Sequence, residues 1–281
     1  MKNKILNRIK IVDDVLSDIK LDDSIEVSET SKNEIFDVTS IYLTIKKDTS
    51  LEIDYSTRKA TKLDVKIKVM PGVSLDLLEY RFGKNFKIRY QYSLMENSNT
   101  NVYKFYDVAG IKEMNIIHLL GVNANIDYNF KTISTGCEKY NMTIYHQASN
   151  TNSNIKNNGV NINKGSLQFN VSSFVNAGNI GCNISQASRI INLTENKCQI
   201  NPNLFIDEYD VSANHSALIG KFSDAEMFYL ESRGIDEKTA LNLLINGFLI
   251  SNMPTEIGKK ITKNINKYWR WKYESQRFYY A

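Results

Sequence analysis

The chain is poor in the residues that usually punctuate or staple a fold, with 3 prolines and 3 cysteines in 281 residues. Cys137, Cys182 and Cys198 are an odd set in a chain too long to need disulfide staples, which points to reduced thiols and a cytoplasmic location. Cys137 and Cys182 are expected to be buried structural thiols. No run approaches the ~18 apolar residues of a membrane span, so no membrane partner is expected. The basic opening MKNKILNRIKIVDDVL lacks the apolar core and the small-residue cleavage site of a signal peptide. No G-x-x-x-x-G-K-[ST] loop occurs, so the chain has no P-loop of its own. C-x-x-C, G-x-S-x-G and H-E-x-x-H are missing too, which excludes an autonomous zinc knuckle of usual spacing and leaves ordinary hydrolase chemistry without support. A net charge of +4 is too mild to imply a nucleic-acid partner.

What is present changes character along the chain. Ile5, Ile9, Val12, Leu16 and Ile19 recur at spacings of three and four, which predicts an N-terminal amphipathic helix over 1–21. From 22 to about 221 the period is two: Val65, Ile67 and Val69 alternate with lysines, and Phe86, Ile88 and Tyr90 with Lys87, Arg89 and Gln91. Short strands separated by Gly, Asn and Ser turns suit a sandwich, a barrel or a solenoid. Scarce proline, abundant Asn between strands and few Asn-Gly hairpin signals (Asn158-Gly159, and Asn246-Gly247 in a helical context) favour a solenoid with Asn ladders. His118, in the run IIHLL, reads as a core histidine, and His146 as a member of a polar ladder.

From 222 to 281 the signals are helical. Ser223 and Glu226 form a capping box for a helix through MFYLESR that stops at Gly234. Asp236 caps a second helix that ends near Pro254, and a third starts at Thr255 with Ile257, Ile261, Ile265 and Tyr268 on one face. The last 25 residues interleave seven cations and one acid with aromatic rings, a pattern that suits a protein interface.

Cys198 and His215, with acids between them, are the side chains best suited to iron or zinc, since thiolate and imidazole are soft and borderline donors. The stretch around His215 is also specific as a pattern. NPNLFIDEYDVSANHSALIGKFSDAEMFYLESRGIDEKTALNLLINGFL resembles the end of the core domain of the SufB/SufD family of iron-sulfur cluster assembly proteins, through Pro202, Leu204, Asp210, His215, Gly220, the run Phe228 to Leu230, Ser232 to Ile235, Leu244 and Phe248.

The resemblance implies a mainly β chain with a right-handed parallel β-helix (β-solenoid) core, working as a scaffold rather than an enzyme and carrying an iron-sulfur cluster in transit. It implies Cys198 and His215 as cluster ligands; Glu208 or Asp210, in the same stretch, are candidates to complete iron coordination. A SufC-type ABC ATPase would dock on the C-terminal helices through Phe228, Tyr229, Arg233, Leu244 and Phe248, and two copies would meet through the β-helix as a homodimer. The sequence departs from the family's pattern at Asn214 and Ser216, which flank the motif histidine where the family usually carries further ligands. Those departures suit a second reading, a platform that binds and regulates the ATPase without holding a cluster.

Overall fold

The computed structural model describes residues 7–12, 15–33, 38–57, 61–162 and 165–277. Most of the described residues lie in strands, which wind into a parallel β-solenoid of about six turns. In order they are β1 (Asn7–Val12), β2 (Val15–Lys20), β3 (Ile25–Asn33), β4 (Val38–Ile45), β5 (Thr49–Thr57), β6 (Thr61–Val69), β7 (Ser74–Leu94), β8 (Asn99–Leu119), β9 (Asn125–Ser134), β10 (Cys137–His146), β11 (Asn152–Asn161), β12 (Ser166–Val175), β13 (Cys182–Asn192), β14 (Gln199–Ile206) and β15 (Val211–Gly220). Helices α1 (Asp224–Glu231), α2 (Glu237–Ile250) and α3 (Thr255–Arg277) follow.

Each coil gives one strand to each of two ladders. One ladder runs β1, β5, β7, β8, β9, β11, β13, β15; the other runs β4, β6, β7, β8, β10, β12, β14. β7 and β8 belong to both because they bend midway, at Gly83 and Asn85 and at Gly110, all with positive φ. The other corner also repeats. Gly72, Asn97, Asn123, Asn150 and Gly181 all take positive φ, and the N–H of each donates to a carbonyl of the next coil, from Gly72 to Glu96 at 2.8 Å through to Gly181 to Asp210 at 2.7 Å. Asn tolerates this left-handed conformation better than other residues with a Cβ. At Gly181 a Cβ would also lie 2.2 Å from Asn150 Oδ1, so that side chain would have to turn away. The expected Asn ladders are present: Asn123 donates to Asn97 at 2.9 Å, Asn125 to Asn99 at 2.6 Å, and Asn201 to Asn170 and Asn170 to Asn141 at 2.6 and 2.7 Å.

The interior of the early coils is not purely apolar. Glu79, Arg81, Lys104 and Glu113 are buried among Tyr55, Tyr90, Tyr106 and Tyr128. Arg81 pairs with Glu79 at 2.5 Å, Lys104 bridges Glu79 and Glu113 at 3.2 and 3.0 Å, and the Lys104 ammonium sits 3.5 Å from the Tyr90 ring centre. Burial raises the Glu79 carboxyl, but Arg81 and Lys104 outweigh it and hold it below its ordinary value. Removing one member of such a set strands the others, at a cost of ~3–5 kcal/mol.

Three expectations are corrected. The described part of the N-terminal segment is strand, not helix: β1 and β2 form an antiparallel pair, and β1 continues the first ladder beside β5 with Ile9 opposite Ile53. Ile9 and Ile11 alternate into the core while Ile19 is 46% exposed, so a period of two was hidden under apolar spacings that also fit a helix. Ile5 and the side chains from Lys267 onward, Tyr268 included, on which the expected protein interface rests, lie outside what is described. Asn158-Gly159 is not a turn but mid-strand in β11, where a Cβ on Gly159 would meet Leu167 Cδ2 at 2.2 Å. His118 is not a core residue; it is half-buried on the outer face, bonded to Gln147 at 2.8 Å and stacked on Tyr145.

The helix signals are matched closely. Ser223 caps α1 with both halves of the capping box formed, Gly234 follows with φ of 81°, and Asp236 caps α2. α2 and α3 fold back on the first ladder, placing Ile245, Leu249, Ile257, Ile261 and Ile265 against Leu78, Tyr80, Phe105, Ile133, Val160 and Ile191. Lys260 pairs with Glu52 at 2.8 Å, and the buried Lys131 reaches Ser251 at the C-terminal end of α2, where the helix dipole favours a cation. Ile261→Ala is expected to lower stability by ~2–4 kcal/mol, measured as the denaturant midpoint of the helical signal.

Candidate functional site

The last coil holds the predicted site residues. Cys198 lies just before β14, half-buried and packed against the core, one position ahead of the β14–β12 register that pairs Gln199 with Gln168. That places it beside Leu167, whose backbone hydrogen-bonds the thiol. Burial pushes the Cys198 thiol up and this bond only partly offsets it, so the free thiol is protonated at neutral pH and ionises on meeting a metal.

His215 lies in β15 opposite Gln186 of β13. Side chains in register on parallel strands stack on one side of the sheet. Gln186 is buried and donates to Ser173 Oγ at 2.8 Å inside the solenoid, so His215 continues that interior column at its exposed end. Asn214 and Ser216, as alternate residues, belong to the opposite side of β15, and Asn214 Oδ1 accepts from Ser185 at 3.2 Å. The two departures from the family's pattern are thus turned away from the mouth that His215 faces.

The acids lie in the turn between β14 and β15. Glu208 accepts from the backbone N–H of Gly178 at 2.7 Å and of Tyr209 at 2.8 Å, and these bonds, with a weaker one from Asp210, hold its carboxyl below the usual range. The backbone carbonyl of Asp210 accepts from Gly181. Glu208 is therefore engaged in holding the corner. Cys198 and His215 share the coil but sit on its two different sheets, and among the described residues no group of three or more His, Cys, Asp or Glu is placed to hold a metal.

A cleft of about 370 Å³ opens beside Cys198, lined also by Cys137, Glu138, Lys112, Lys139 and Lys197. Cys137 is exposed, contrary to the expectation of a buried thiol, because it occupies an outward position at the start of β10. No sequence motif marks this neighbourhood; strand register alone brings Cys137 and Cys198 to one cleft. Burial pushes the Glu138 carboxyl up to about 8, although Tyr140 and Thr132 donate to Oε2. Cys182 is structural as expected, buried with its sulfur near Thr151 Oγ1 and the Asn179 carbonyl.

His146 is the buried histidine, with Nδ1 2.8 Å from Thr151 Oγ1 and Nε2 2.9 Å from Ser153 Oγ. Burial pushes its pKa down to about 4, below the ~6.5 of the unfolded chain. The unfolded chain therefore takes up the proton first on acidification, and the His146 contribution is complete above pH ~6.5 and lost as pH falls towards 4. His146→Gln is expected to remove about 3 kcal/mol of acid-dependent loss over that window, read from denaturant midpoints of the two proteins at each pH.

Phe228 and Tyr229 are 71% and 58% exposed on α1, which buries none of its residues, and the Arg233 guanidinium lies 5.2 Å from the Tyr229 ring centre. Leu244 and Phe248 of α2 are half-buried against the solenoid, with Phe248 edge-on to Phe222.

Compared with known proteins, residues 83–248 match the family described as SUF system FeS cluster assembly, SufBD core domain. The iron-sulfur cluster assembly protein SufD of Bacillus subtilis is 42% identical over 79 residues, 27% of this chain and 18% of that protein. SufBD family proteins of Mycobacterium leprae and Pyrococcus horikoshii are 48% identical over 48 residues and 40% over 63, covering 17% and 21% of this chain and 12% and 14% of theirs. The aligned stretches thus span less than a fifth of these relatives. With the core-domain match extending over more than half of its length, and with the solenoid and the motif around His215 in place, the chain belongs to the SufBD family of iron-sulfur cluster assembly proteins.

Proposed function

We propose that the chain is a non-enzymatic scaffold subunit on which an iron-sulfur cluster is built in transit, in the cytoplasm and in concert with a separate SufC-type ABC ATPase. The observation that carries this reading is the position of Cys198 and His215 at the open end of the solenoid. β15 pairs only with β13 and β14 only with β12 among the described residues, so both strands of the last coil offer an unpaired edge. Phe205, Ile206, Leu218 and Ile219 are exposed on the same coil. An open edge with exposed apolar side chains is a template for another chain. A second copy docked there as an isologous homodimer brings a second Cys198 and His215 to the same place, supplying the ligands that one chain lacks.

In this arrangement Cys198 serves as thiolate ligand, His215 as nitrogen ligand, and Asp210 is an acid near enough in sequence to complete iron coordination from the turn, with Glu208 available once its backbone bonds are released. The ATPase docks on the exposed face of α1 through Phe228, Tyr229 and Arg233, while Leu244 and Phe248 seat α2 on the solenoid beneath it. Because α1 follows β15 directly, a change in the docked ATPase reaches the last coil through a few residues.

A second reading, a platform that binds the ATPase without a cluster, is favoured by the absence of any group of three or more ligating side chains among the described residues. Anaerobic addition of ferrous iron and sulfide to the protein separates the two. Sulfide-to-iron charge-transfer absorbance is expected in the native protein and is lost in Cys198→Ser; an unchanged spectrum in that variant removes Cys198 from the scheme, and no absorbance in either supports the platform.

A further inference from the structure

We propose that the uncovered sheet of the solenoid is a docking face for an acidic protein surface. The two sheets have different fates: α2 and α3 cover the β5 to β13 ladder, whereas among the described residues no helical side chain joins the apolar packing of the β4 to β14 ladder. The outer face of that second ladder carries cations in register. Lys62 stands opposite Lys87, Lys87 opposite Lys112 and Lys112 opposite Lys139, four lysines in one column at the ~4.8 Å spacing of adjacent strands. Lys66 and Lys68 add to the same face, while the carboxylate beside them, Asp64, is held by the Arg89 guanidinium. Lys87, Lys112 and Lys139 are exposed and take part in no ion pair among the described residues.

Like charges directly opposite one another on neighbouring strands repel. A face needed only for solubility is served by interspersed signs, as on the helix-covered side, where Arg8 pairs with Asp54 and Lys260 with Glu52. With no ion pair among the described residues, Lys87, Lys112 and Lys139 leave their mutual repulsion uncompensated until an anionic surface covers them. The column also leads somewhere: Lys112 and Lys139, with Lys197, line the cleft that holds Cys137 and Cys198. A partner drawn along the lysines arrives at the two thiols, with the steering that complementary charge gives to association.

The face suits carboxylates rather than a nucleic-acid strand. Single-stranded nucleic acids need aromatic faces on which bases stack. Here His118, Tyr145, Phe174 and Phe205 stack on one another in a row with centres 5.1, 5.2 and 4.6 Å apart, so the faces between neighbours are already covered. This docking does not depend on whether a cluster is bound, so it stands or falls apart from the scaffold reading.

The test is the fluorescence anisotropy of a labelled poly-glutamate peptide with the full chain at low ionic strength, together with the rate at which Cys137 is alkylated. The peptide is expected to bind and to slow alkylation, and K87Q/K112Q/K139Q is expected to weaken binding at least ~10-fold. The control K10Q/K20Q/K263Q removes the same charge elsewhere and is expected to bind nearly as the native chain does. Equal loss in both variants, no binding by the native chain, or tighter binding of a labelled oligothymidylate than of poly-glutamate would overturn the proposal.

Discussion

Everything in this molecule depends on the corner at which each coil turns back over the one before it. Gly72, Asn97, Asn123, Asn150 and Gly181 share one left-handed conformation and one hydrogen bond, from N–H to the carbonyl of the next coil. Because that bond fixes the start of each coil against the last, every strand after it inherits its register. Register then decides which side chains form columns: Asn ladders outside, apolar and tyrosine columns inside, and a lysine column along one face. The same rule places the candidate site residues, since Cys198 and His215 follow Leu167 and Gln186 at the ends of two interior columns.

The two ends of the solenoid are treated differently. At the first end the chain reverses into antiparallel pairs, β1 with β2 and β3 with β4, each with a register irregularity that twists the edge. At the other end β14 and β15 stop with their edges free among the described residues, and the chain leaves directly into α1. The helices that follow divide their labour: α2 and α3 bury isoleucines on the solenoid, while α1 keeps Phe228 and Tyr229 outside. The candidate site residues, the open edge and the exposed helix are therefore contiguous along the chain.

Much of this was legible in the sequence, and the failures have physical causes. The capping box at Ser223, the stop at Gly234 and the cap at Asp236 are local interactions, so local sequence sufficed. The solenoid was legible through its Asn residues, because the corner conformation selects Asn and Gly. The spacing of Ile9, Val12, Leu16 and Ile19 misleads because in so short a segment apolar spacings fit both a helix and a strand, and only the pairing of β1 with β5 decides between them. Gly159 misled because its reason is a distant one, the pressure of Leu167 from the facing sheet. Cys137 could not be assigned to the neighbourhood of Cys198, because their shared cleft follows from register across 61 residues of chain.

The central claim is that the last coil is completed by a second chain and that the iron is held between the two. Light scattering coupled to size-exclusion chromatography, with iron measured in each fraction after anaerobic loading, tests it directly. The account predicts that iron elutes with a species of twice the chain mass and that Leu218→Asp, which places a charge on the exposed face of β15, sends both mass and iron back to free components. Iron retained by a species of single-chain mass would contradict it.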